Sequence, residues 1–92
     1  MAWTDIQIDR GREPELRGSE RWLRAKDKDG ELHVVLNSKA WFAADQRAYD
    51  ERRSTGATVT IYDIIERAAR WKAGEGVPDN RTLNLSASSF GE

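Results

Sequence analysis

His33 is the only histidine among the 92 residues, and the chain has no cysteine. General acid–base chemistry near pH 7 would therefore have to start at His33. It sits inside the strand-like run Leu32-His33-Val34-Val35, where a surface or packing role accounts for it fully. With no second histidine, no cysteine pair and no HExxH spacing, the chain has no donor set for a transition metal. Asp27-Lys28-Asp29-Gly30 opens like a calcium loop, but the later ligands, including a closing glutamate, are missing, so it reads as a turn. Gly74-Glu75-Gly76 is short and acidic and follows a helix, whereas phosphate-cradling loops precede one. The 16 carboxylates are spread over helix faces and loops, where they serve solubility and i,i+4 pairing. A non-enzymatic protein without cofactor or metal is expected.

What remains is the chemistry of binding. Arg21-Trp22-Leu23-Arg24-Ala25-Lys26 is where basic and aromatic residues interleave. The elements that must present them are legible from periodicity. Arg21–Lys26 and Glu31–Leu36 flank a turn with Gly30 at its end, which predicts a β-hairpin. If Lys26 pairs with Glu31, Arg24 faces His33 and Trp22 faces Val35. Alternation then puts Leu23, Ala25, Leu32, Val34 and Leu36 on the core side. Trp22, Arg24, Lys26, Glu31, His33 and Val35 form the outer face, mildly cationic with one large aromatic. Trp22 there is either an interface anchor or a residue covered by the N-terminal strand. That third strand is suggested over residues 4–8, where Ile6 and Ile8 alternate with polar residues after Trp3. Arg10 to Glu20, rich in charge and carrying Pro14, reads as an exposed loop.

Asn37 or Ser38 can cap a first helix running to about Arg53, with Trp41, Ala44 and Ala48 in one apolar stripe and Phe42 and Tyr49 beside it. Thr55-Gly56 breaks it. A second helix starts around Thr60, with Asp63 in its first turn and Ile61, Ile64, Ile65, Ala68 and Trp71 as the buried stripe. Asp63–Arg67 and Glu66–Arg70 are acid-first i,i+4 pairs, and Gly74 is the expected left-handed stop. Beyond residue 76 the chain turns polar and small. Leu83 and Leu85 could extend an edge strand, and a frayed tail is expected from Ser86. The fold expected is α+β: an antiparallel hairpin, with room for a third strand, packed on two helices. Residues 1–76 form this single domain and residues 77–92 a polar C-terminal tail.

Composition narrows the class. Four tryptophans and an apolar fraction of 38% imply a small, aromatic-rich core or one completed by a partner. Fifteen basic and 16 acidic residues leave a net charge of -1, so only the distribution of charge could argue for nucleic acid. No long apolar run or signal segment is visible, which points to a cytoplasmic protein outside the membrane.

Leu32-His33-Val34-Val35-Leu36-Asn37, a helix, Thr55-Gly56, then Val59-Thr60-Ile61-Tyr62-Asp63-Ile64-Ile65 together resemble the ribbon-helix-helix family over residues 31–74. Such proteins are intertwined dimers whose paired strands enter the DNA major groove while the second helix holds a phosphate at its N-terminus. The resemblance implies a homodimer, base contacts from Glu31, His33 and Val35, and phosphate-binding amides at Thr58, Val59 and Thr60. Arg21–Lys26 before Asp29-Gly30 is also similar to the arm-site DNA-binding domains of phage-type integrases. That resemblance implies DNA contacts from Trp22, Arg24, Lys26 and His33. The first resemblance pairs the Glu31–Leu36 strand with another subunit; the second pairs it with residues 21–26 of the same chain.

The functional expectation is a small DNA-binding regulator of transcription, homodimeric, contacting DNA through Trp22, Arg24, Lys26, His33, Val35, Thr58 and Thr60. The alternative is a protein-binding accessory factor or inhibitor of the kind phages and plasmids encode, anchored on Trp22, Val35 or Trp3.

Overall fold

The computed structural model describes residues 5–90. Trp3, a candidate strand residue and interface anchor, lies outside them, as does Thr4. The elements follow in the order β1 (Gln7–Ile8), β2 (Glu15–Arg17), β3 (Glu20–Asp27), β4 (Gly30–Leu36), α1 (Ser38–Thr55), α2 (Ile61–Ala73) and β5 (Thr82–Leu85), then a 3-10 turn at Ala87–Phe90. The chain is α+β: a mixed five-stranded sheet with two helices on one side.

The turn between β3 and β4 sets the register. The Asp27 carboxylate accepts the Asp29 N–H at 2.8 Å, and Gly30 takes a φ of 121°, which costs glycine little. The hairpin pairs as expected: Lys26 opposite Glu31, Arg24 opposite His33, Trp22 opposite Val35. Leu23, Ala25, Leu32, Val34 and Leu36 all lie in the core. The expected third strand is β1, antiparallel to β3, with Ile6 and Ile8 buried.

Two segments depart from the sequence reading. The stretch expected as a loop holds β2, which turns at Gly18-Ser19 and pairs with the start of β3. Its three side chains stay exposed, so no apolar alternation announced it. The second departure begins at Ser86, after the edge strand suggested by Leu83 and Leu85, which is present as β5. β5 joins the sheet parallel to β4, Leu83 and Leu85 are buried, and Phe90 of the 3-10 turn is 8% exposed. Residues 82–90 are thus part of the domain, and not a frayed tail. The parallel pairing needs a crossover, which α1 and α2 supply.

Both helices start and stop for local reasons. Asn37 caps α1, its side chain accepting the Ala40 N–H at 2.8 Å, and Gly56 ends it at a φ of 72°. The buried side of α1 is all alanine: Ala40, Ala43, Ala44 and Ala48. Small side chains let the helix axis approach its neighbours, so the bulky residues face elsewhere. Trp41 is half-buried under the Arg21 guanidinium, 4.7 Å from the ring centroid, while Phe42 is 64% and Tyr49 48% exposed. Thr60 and Asp63 form a reciprocal capping box at the start of α2. The buried row of α2 runs Ile65, Ala69 and Ala73 with Ile64 beside it. Trp71 falls beyond the margin of that arc and is 61% exposed, contrary to its expected place in the core. Gly74 is still right-handed; the positive φ comes at Gly76.

Long-range ion pairs redirect one of the two expected helical pairs. Glu66–Arg70 forms at 2.8 Å, but Asp63 takes Arg10 at 2.7 Å and Arg67 takes Glu51 at 2.9 Å. Glu66 also accepts the Ile8 N–H at 3.0 Å and Arg70 donates to the Ile6 carbonyl at 3.0 Å, clipping the first strand to α2. At the other end, the Arg81 guanidinium reaches the Asp27 carboxylate and the Gly30 and Glu31 carbonyls, tying the entry of β5 to the hairpin turn.

Two outcomes follow from this packing. Phe90→Ala should lower stability by about 3 kcal/mol in urea denaturation, the range for emptying a buried aromatic site; a frayed tail would give no change. The Arg81 hydrogen bond, helped by the Asp29 N–H, holds the Asp27 carboxyl below the usual range against the opposing effect of burial. A carboxyl depressed in the folded state stabilises the fold above its unfolded pKa, and that contribution is lost as pH falls through the folded value. Wild type and Asp27→Asn should therefore differ in urea midpoint at neutral pH and converge at acid pH.

Candidate partner-binding face

Because the helices cover one side of the sheet, alternation leaves Trp22, Arg24, Lys26, Glu31 and His33 on the other side. Trp22 is the fixed point of this face. Arg17, brought in by β2, lies over the indole at 4.1 Å from the ring centroid, and His33 meets it edge-on at 5.6 Å. The indole Nε1–H donates to Glu20 at 3.4 Å. Arg17 is itself held by Glu15 at 2.9 Å, and that hydrogen bond keeps the Glu15 carboxyl below the usual range. The indole is thus set before any partner arrives.

Val35 does not belong to the contact surface. It points away from the helices yet is only 2% exposed, with Trp22 opposite it on one flank and Asn84 of β5 on the other. At that burial it offers little surface to a partner. Arg24 and Lys26 are exposed and have no ion pair among the described residues. They border a hollow of about 370 Å³ between β1 and β3, lined also by Gln7, Asp9, Arg12 and Glu31. Arg12 is paired with Asp9 at 3.3 Å. Cations and acids on the face balance: Arg17, Arg24 and Lys26 against Glu15, Glu20 and Glu31.

Thr58 and Thr60 lie elsewhere, in the connection between the helices. Of the amides expected to bind a phosphate, that of Thr60 is engaged: the Thr60 N–H donates to Asp63 at 3.0 Å, and the Thr60 hydroxyl accepts the Asp63 N–H at 3.2 Å. The Thr60 backbone hydrogen bond, with Arg10, holds the Asp63 carboxyl below its ordinary range. A carboxylate therefore occupies the helix N-terminus where a phosphate was expected. The expected intersubunit ribbon meets a similar obstacle. β4 is hydrogen-bonded to β3 on one edge and β5 on the other, which leaves no edge for a second subunit.

Sequence reasoning brought Trp22, Arg24, Lys26 and His33 to one face and missed Arg17, Glu15 and Arg12. The usable signal for the first two was Gly18-Ser19, a two-residue turn that folds Arg17 back onto β3. Among the described residues no cluster of three or more histidine, cysteine or carboxylate side chains could hold a metal ion, and no helix is long and apolar enough to cross a membrane.

Thr60→Ala should lower stability by about 1 kcal/mol through loss of the cap, read as a shifted urea midpoint. Because Thr60 serves the helix and not a ligand, binding at the sheet face should be unchanged. Compared with known proteins, the chain matches no family model, no curated protein and no solved structure.

Proposed function

We propose that this chain is a small, non-enzymatic protein-binding module that docks its partner on the uncovered sheet face, with Trp22 as the anchor. The observation that carries the reading is the immobilised indole: Arg17, His33 and Glu20 hold it on the one sheet side that the helices leave open. Tryptophan and arginine are the side chains that dominate protein interfaces, and an anchor already fixed loses little entropy on binding. The surrounding charges alternate in sign, which suits a partner with its own mixed charges. A duplex presents a uniform negative surface and would meet Glu15, Glu20 and Glu31 as well as the cations. The absence of cysteine suits the reducing cytoplasm.

A DNA-binding regulator is the second reading, and Arg24 and Lys26 favour it because both are exposed cations beside Arg12, without ion pairs among the described residues. One experiment separates the readings. The purified chain is immobilised and exposed to host lysate with and without nuclease, and any retained protein is then purified and titrated. The protein-binding reading expects retention that survives nuclease, with Trp22→Ala weakening the purified pair by about 2 kcal/mol, roughly thirtyfold in Kd. Retention of nucleic acid at low salt, lost in Arg24→Ala and Lys26→Ala, would replace it with the DNA reading.

A further inference from the structure

A second recessed surface lies on the helical side of the fold, away from the sheet face. It is a groove of about 300 Å³ lined by Arg47 of α1, by Ile64, Arg67, Ala68 and Trp71 of α2, and by Ser89 and Phe90 of the 3-10 turn. Its base is apolar: Phe90 is 8% and Ile64 3% exposed, and Ala68 is half-buried against the core. Trp71 stands at its side, 61% exposed, an unusual position for the largest apolar side chain on a helix whose other bulky residues are covered.

The charged side of the groove is built. Arg47 and Arg67 converge on one carboxylate, Glu51: Arg47 Nε at 3.2 Å, Arg67 at 2.9 and 3.3 Å. Among the described residues the two guanidiniums share this single negative charge, which gives the cluster a net positive charge. Arg47 spends one N–H on Glu51, and Arg67 spends two, of the five that each guanidinium has. Both side chains remain more than half exposed, 54% and 57%. Glu51 thus orients two arginines beside an apolar hollow while leaving donors for a second acceptor. A carboxylate beside a bulky apolar side chain matches this pairing in charge and in chemistry. The volume, at the low end for ligand pockets, suits one side chain of a peptide better than an extended cofactor.

We propose that the groove binds an acidic peptide segment: a leucine, phenylalanine or tryptophan side chain packs between Trp71 and Phe90, and a neighbouring glutamate or aspartate bonds to Arg47 and Arg67. The proposal concerns a different surface from the sheet face and does not depend on the partner reading made there.

The test uses the full chain, labelled with 15N, titrated with a panel of synthetic decapeptides. Each peptide has a central Leu, Phe or Trp and adjacent Glu or Asp; control peptides carry Gln or Asn for the acid, or Ala for the apolar residue. At least one acidic peptide should saturate the amides of residues 64–71 and the Trp71 indole N–H while amides of β3 and β4 stay unmoved. The matched amide and alanine controls should bind more than tenfold more weakly. Trp71→Ala, an exposed position whose loss leaves the core intact, should weaken binding by at least tenfold, as should Arg47→Gln. No saturable shift across the panel at millimolar peptide would overturn the proposal. So would shifts confined to the sheet face, equal binding of the Gln controls, or concentration-dependent self-association abolished by Trp71→Ala, which would make the occupant a second copy of the chain.

Discussion

Strand β4 has no free side except the one that faces away from the helices. β3 takes one edge and β5 the other, and Leu32, Val34 and Leu36 fill the core between sheet and helices. Every functional possibility is filtered by that position. A strand with both edges bonded offers no free edge to which a further strand could add. Only its outer residues remain, and one of them, Val35, is sealed beneath its neighbours. The rest of that surface comes from β3 and from β2, which pairs with the start of β3. That is why the large aromatic of this face is Trp22 and why Arg17, from β2, is the side chain that lies over it.

The short first and last strands depend on polar ties as much as on burial. β1 is two residues long, too short to hold itself by ladder bonds. Glu66 and Arg70, four residues apart on one face of α2, supply a carboxylate for the Ile8 N–H and a guanidinium for the Ile6 carbonyl. The same two residues bond each other, so the clip is aligned before the strand arrives. Arg81 plays the corresponding part for β5. It adopts a positive φ of 55°, unusual for a side-chain-bearing residue, and its guanidinium spans the Asp27 turn. Strain at Arg81 is offset by charge-assisted bonds to Asp27, whose side chain is 2% exposed. Asp27, which in sequence looked like the first residue of a calcium loop, is satisfied by a backbone N–H and an arginine.

What could be read from sequence was what is decided locally. The hairpin register followed from period-2 alternation around Gly30, the α2 cap from Thr60 and Asp63, and the α1 stop from Gly56. What escaped was decided between distant segments. Arg67 has an acceptable partner four residues away in Asp63, yet Glu51 on the neighbouring helix holds it, a choice no spacing rule contains. Phe42, Tyr49 and Trp71 look like core residues by size. Their exposure follows from the alanine row of α1 and the Ile65–Ala69–Ala73 row of α2, which let the layers close without them. Phe90 looked like tail because its context is serine and glycine, and only the fold shows the place it fills. For the site, the face was legible from alternation, but its composition was not, because Arg17 and Glu15 reach it from a strand with no apolar signature.

Near-neutral total charge hides two surfaces of different character. On the sheet face cations and acids are matched one for one, so that face exerts little long-range attraction on a charged surface. On the helical face Glu51 compensates only one of two arginines, and the excess lies beside apolar residues. A guanidinium held beside hydrocarbon can pair with an incoming carboxylate while the neighbouring apolar side chain packs, so charge and burial act on one ligand together. The two faces lie on opposite layers of the fold, separated by the single core, so neither can substitute for the other. A chain with one layer of sheet and one of helix therefore presents two unlike surfaces, around a central strand whose two edges are both taken by neighbouring strands.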